Sequence, residues 1–131
     1  MPQKKPILNY LVVAGRTLQD SATNRWSYID LFDTILIPEG ADTATQSFVV
    51  AGRLDNVTAG PSQTQVTITA PDDELAASIE LSGQLEAGSV NMNAIFELIK
   101  FEKAGRYHLH VTYNGKQLDD DSRFYFDVKK L

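Results

Sequence analysis

The stretch that decides the fold is "KFEKAGRYHLHVTYNGKQLDDDSRFYFDVKK", residues 100–130. Asn114-Gly115 sits at its centre. A two-residue type I′ turn needs positive φ at both central positions, and Asn and Gly tolerate that best. Residues 105–113 are therefore predicted to pair with the chain after Lys116. Tyr107, Leu109, Val111 and Tyr113 alternate with Arg106, His108, His110 and Thr112. Beyond the turn, Phe124, Phe126 and Val128 alternate with Tyr125, Asp127 and Lys129. Alternation of this kind sets the register, because a one-residue slip would turn every aromatic ring into water.

Upstream of the hairpin, Ala104-Gly105-Arg106-Tyr107 follows Phe101. A glycine two residues before a tyrosine at a strand start matches the tyrosine corner of immunoglobulin-like sandwiches, where the hydroxyl bonds back to the incoming backbone. Strand-like runs recur elsewhere, and helical periodicity is nearly absent. Strands are predicted at residues 7–14, 25–30 with 33–37 (one bent strand, bulged near 30–33), 46–55, 63–70, 89–101, 105–113 and 118–130. Residues 17–24 and 56–62 read as polar loops, and Pro38-Glu39-Gly40 as a strand end. On residues 89–101, Val90, Met92, Ala94, Phe96 and Leu98 are expected on one side. Residues 74–82 read as a strand or a short helix, since "ELAASIEL" suits both.

The expected fold is all-β: a single antiparallel β-sandwich of about eight strands, immunoglobulin-like, over residues 1–131 with its core at about 6–130. The length of 131 residues is that of one domain and is enough to hold a core without staples. Hydrophobic residues at 43% and charged residues at 22% place the chain with globular proteins.

The pattern also resembles a family of small uncharacterised bacterial proteins, a domain of unknown function with an immunoglobulin-like β-sandwich. The features that carry the resemblance are the early apolar strand, the "FDTILIPEG" strand ending in Pro38, and "NAIFELIKFEKAGRYHLHVTYNGKQL…FYFDV". The resemblance implies the fold and implies no activity.

Composition narrows the function classes. Cysteine is absent, which excludes disulfides, thiolate metal sites and a cysteine nucleophile. The formal net charge is -5, and the basic residues are scattered, with Lys4-Lys5 and Lys129-Lys130 only pairs. Phosphate neutralisation needs clustered Lys and Arg, so no nucleic-acid partner is expected. No membrane partner is expected either: no run approaches the ~20 apolar residues of a spanning helix. "ILNYLVVAG", residues 7–15, reads as a buried strand rather than a signal segment, because Asn9 breaks it. The expectation is a soluble cytoplasmic protein.

Three groups carry candidate chemistry. His108 and His110, at i and i+2 on one strand face, could offer two imidazoles to zinc, but no third ligand is named by the sequence. Their plainer reading is a solvated face. Asp119-Asp120-Asp121, with Asp72, Asp73 and Glu74, could form an oxygen-rich calcium site if the loops met; the plainer reading is a charged edge that blocks aggregation. Trp26, Tyr28 and Phe32 read as core, or, if exposed, as a sugar-stacking or protein-binding row. Asn56-Val57-Thr58 is a glycosylation sequon that matters only in a secreted eukaryotic protein. No G-x-S-x-G, H-E-x-x-H or phosphate-loop pattern occurs. No catalytic, cofactor-binding or metal residues are assigned, and no cofactor is expected. The leading expectation is a non-enzymatic protein-interaction or scaffolding module that self-associates. Alternatives are a carbohydrate or small-ligand-binding module and, behind it, a metal-dependent activity.

Overall fold

The computed structural model describes residues 5–118 and 123–131. Ten strands and no helix occur among them: β1 (Ile7–Gln19), β2 (Trp26–Leu31), β3 (Thr34–Ile37), β4 (Ala44–Val57), β5 (Gly60–Thr69), β6 (Leu75–Leu85), β7 (Gly88–Phe101), β8 (Gly105–Tyr113), β9 (Lys116–Gln117) and β10 (Tyr125–Lys130). One sheet has the order β2-β1-β4-β7. The other has the order β3-β10-β8-β5-β6, with β9 beside β8. Each strand offers one apolar face, and the two sheets bury these faces against each other.

The centre of the core is aromatic. Phe48 stacks on Phe96 at 5.3 Å between ring centroids, and Tyr107 stacks on Phe126 at 5.4 Å. Phe101 meets Tyr107 edge-on at 5.3 Å. Phe48, Phe96, Phe101 and Phe126 are all fully buried. Each such ring contributes about 1.5–3 kcal/mol of hydrophobic stabilisation. Leu8, Leu54, Ile68, Leu109 and Val111 extend the core along both sheets.

The hairpin reading holds. Asn114 (φ 47°) and Gly115 (φ 82°) both take positive φ, and Tyr113 pairs with Lys116. Tyr107, Leu109, Val111 and Tyr113 are buried, while their alternates face outward. The tyrosine corner is present: the Tyr107 hydroxyl donates to the Lys103 carbonyl at 2.9 Å. Gly105 has φ 134°, and a Cβ there would lie 2.7 Å from Pro71 Cγ. Only glycine satisfies both the backbone angle and that close approach.

Several boundaries move. Residues 17–19 are not loop but the end of β1, which pairs with β2 out to Gln19–Trp26. Residues 25–37 are not one bent strand. Phe32-Asp33 carries the chain from the smaller sheet to the larger, so β2 and β3 lie in different sheets. After that crossing β3 runs in the same direction as β10, giving one parallel pair in an otherwise antiparallel sandwich. The loop at 56–62 shrinks to two residues, because β4 reaches Val57 and β5 starts at Gly60. Pro61 is tolerated there because the β5–β8 ladder runs only from Thr64 to Thr69, so Pro61 lies beyond it. Residues 74–82 resolve as strand: β6 pairs with β5 over almost its whole length. Leu98 leaves the inner face. Its φ is 52° at a register shift in the β4–β7 ladder, and it is 75% exposed. Such a bulge shifts the alternation by one residue, so the inward positions become Ile99 and Phe101.

Candidate functional site

β8 places His108 and His110 on the outer face of the larger sheet, between Thr69 and Thr67 of β5 on one side and Tyr125 of β10 on the other. The rings lie near-parallel with centroids 6.4 Å apart. His110 Nε2 is 3.2 Å from Thr69 Oγ1. His108 Nδ1 is buried without a hydrogen-bond partner among the described residues. Around them the face is polar: Gln65 Nε2 donates to Ser78 Oγ at 3.0 Å, and the Arg106 guanidinium lies 3.8 Å over the Tyr125 ring while Nε donates to Asp127. Among the described residues no three His, Asp or Glu side chains come together. A zinc reading therefore finds no third ligand there.

The acidic groups do not form one described site. Asp119, Asp120 and Asp121 lie outside the described residues. Asp72 and Glu74 share one ammonium: Lys103 Nζ contacts Asp72 and lies 3.1 Å from Glu74. The Lys103 hydrogen bond holds the Asp72 carboxyl below its ordinary value. The turn itself is closed by Asp73 N to Ala70 O at 2.9 Å. Lys103 thus binds the 71–74 turn with its side chain and the tyrosine corner with its carbonyl. This is a structural joint.

The aromatic row is divided. Phe32 turns inward and meets Phe48 edge-on at 6.3 Å. Trp26 and Tyr28 stay half-buried. Tyr28 stands opposite Thr17, seven positions beyond Tyr10. On a straight ladder that offset is about 23 Å. Yet the two phenol oxygens are 2.7 Å apart. The β1–β2 arm therefore bends, and Asp30, at φ 57°, packs against Gly15 within it. Burial and the Tyr10 hydrogen bond push the Tyr28 phenol up to about 12. Beside Phe32 an open cleft of about 540 Å³ lies between the sheets, lined by Leu11, Val13, Leu109, Arg123 and Phe124.

The edge of the larger sheet was not singled out by the sequence reading. β6 is eleven residues long and, among the described strands, is hydrogen-bonded to β5 alone. Its sequence, LAASIELSGQL, has one charge, Glu80, and no proline. Edges are usually shortened, bulged or charged to prevent strand addition. β3 and β2 are short, at four and six residues, and β7 carries the Leu98 bulge. Over residues 77–85 β6 is neither short nor bulged, its ladder with β5 is unbroken, and Glu80 is its single charge. On its inner face Ala77, Ile79, Leu81 and Leu85 are half-buried against the core. Gly83 continues that face, and a Cβ there would meet nothing within 4 Å. A cleft of about 140 Å³ opens beside it, lined by Leu54, Thr64, Leu81, Leu85 and Met92. The detectable signal was an apolar alternation interrupted by small residues, which is also what made the segment look helical.

The chain is similar to the crystal structure of an immunoglobulin-like protein from Pseudomonas aeruginosa, with a TM-score of 0.52 over 97% of this chain and 98% of that one. The fold is immunoglobulin-like. Sequence identity is 14%, so the likeness concerns fold alone. No protein-family model matches the chain. No curated protein matches it either.

Proposed function

We propose that this chain is a non-enzymatic protein-interaction module that accepts a partner strand on β6. The observation that carries the reading is the long, almost uncharged edge, unbulged over residues 77–85, with half-buried apolar side chains along its inner face. Strand addition to such an edge draws affinity from main-chain hydrogen bonds and specificity from alternate side chains. The reading includes a cytoplasmic setting, consistent with the lack of cysteine, and membership of the small bacterial family that the sequence resembles. A small-ligand module is the second reading. It is favoured by the cleft beside Phe32, where Arg123 lies 4.8 Å over the Phe124 ring.

The test uses the whole chain as bait in host-cell extract, beside a Ser78→Lys/Gln84→Lys double variant. Both substitutions fall on exposed outward positions of β6. The expected result is a stoichiometric protein complex that the double variant loses. Capture that is identical for both forms overturns the edge reading. A small molecule that leaves the native protein on denaturation favours the cleft instead.

A further inference from the structure

Resting on that reading, we infer that the strand β6 accepts is β6 of a second copy, antiparallel, with the two-fold axis at Leu81. Self-pairing across an axis normal to the sheet keeps inner residues opposite inner residues. The unbroken ladder of residues 77–85 is symmetric about Leu81. In this register Leu81 faces itself, Ile79 faces Gly83 and Ala77 faces Leu85 on the inner side. On the outer side Glu80 faces Ser82 and Ser78 faces Gln84.

Three observations favour this occupant. Large side chains meet small ones at every off-axis inner position, so the pairing neither overpacks nor leaves gaps. The partner's Ile79 arrives where Gly83 leaves open space, beside the 140 Å³ cleft that no side chain of the same copy fills. The one charge of the strand, Glu80, meets a serine. Moving the axis one residue to Glu80 would set two carboxylates face to face, and moving it two residues to Ile79 would run the pairing into the irregularity at Ala76. Strand-edge pairing alone falls at the small end of stable interfaces, so the expected dissociation constant is in the micromolar range.

The experiment is sedimentation equilibrium of the purified full chain from about 1 to about 300 µM, a range that brackets micromolar association. Ser82→Lys and Ser82→Glu are run beside it. Ser82 is exposed, so both variants keep the fold. In this register residue 82 faces the partner's Glu80 twice per dimer. Ser82→Lys then tightens the dimer about threefold to tenfold, and Ser82→Glu weakens it by a similar factor. Wild type passes from 14.5 kDa to twice that mass. A monomer throughout, in wild type and Ser82→Lys alike, overturns self-pairing. Dimerisation that is the same in all three forms overturns this register. If the purified chain is monomeric while the extract complex is still lost in Ser78→Lys/Gln84→Lys, the partner is another protein's strand and the interaction reading stands. If that complex is also missing, both fall.

Discussion

Asp55 takes a hydrogen bond from each of three strands: Asn9 Nδ2 at 2.8 Å from β1, Arg53 Nε at 2.9 Å from its own strand β4, and Ser89 Oγ at 2.6 Å from β7. These donors, Ser89 first, hold its carboxyl down at about 2. An acid whose folded value is depressed stabilises the fold above its unfolded value, and that contribution fades as pH falls through the folded one. Wild type is therefore expected to lose stability between about pH 4 and pH 2 more steeply than Asp55→Asn, as read by urea midpoints across that range. Tyr28 works in the opposite sense. Its raised phenol favours the folded state up to about pH 10 and gives way as pH approaches about 12. Burial raises the Tyr107 phenol as well, so ultraviolet titration should show both Tyr28 and Tyr107 ionising late, and Tyr10→Phe should bring only the Tyr28 step earlier. At the corner, Tyr107→Phe removes the bond to Lys103 with little change in shape and is expected to cost about 1–1.5 kcal/mol in denaturant unfolding.

At the scale of elements, the strand ends are governed by residues that tolerate unusual backbone. Asn114-Gly115 is one case, and its turn chemistry could be read directly. Leu98 is the contrary case: a leucine at φ 52°, exposed, in a region that disfavours branched L-residues by about 1–2 kcal/mol. The bulge is held by Leu98 N donating to Ser47 Oγ at 2.9 Å, a bond that does not involve the leucine side chain. Leu98→Gly should therefore raise the melting temperature, against the usual cost of glycine in a strand. A fall in melting temperature would show that the leucine side chain has a role at the surface. Residues 74–82 illustrate why one element could not be assigned from the chain alone. Small residues and a single glutamate suit helix and strand equally in isolation, and ten residues of cross-strand pairing with β5 decide between them.

At the scale of the molecule, the aromatic centre couples both sheets. Phe48 of the smaller sheet contacts Phe101 and Phe126 at 6.1 and 5.9 Å. Phe48→Ala should cost about 3–5 kcal/mol in chemical denaturation, because the surrounding rings cannot all relax into the space left behind. Conservative Phe48→Leu should cost less, since most of the volume is kept.

Alternation and turn chemistry act over a few residues, and so they determine from sequence that the chain is a β-sandwich, that Tyr107 to Tyr113 point inward on alternate residues, and that Tyr107 closes a corner. Charge and the lack of cysteine likewise need no fold to argue from. What the tertiary structure decided depends on partners distant in the chain. The crossing at Phe32-Asp33 splits one apparent strand between two sheets, because each half finds its hydrogen bonds with a different strand. The arm that brings Tyr28 to Tyr10 is invisible to a local pattern. So is the edge: whether β6 is covered or open depends on the order of the strands around it, and strand order is a property of long-range pairing that the spacing of apolar residues within a single strand does not encode.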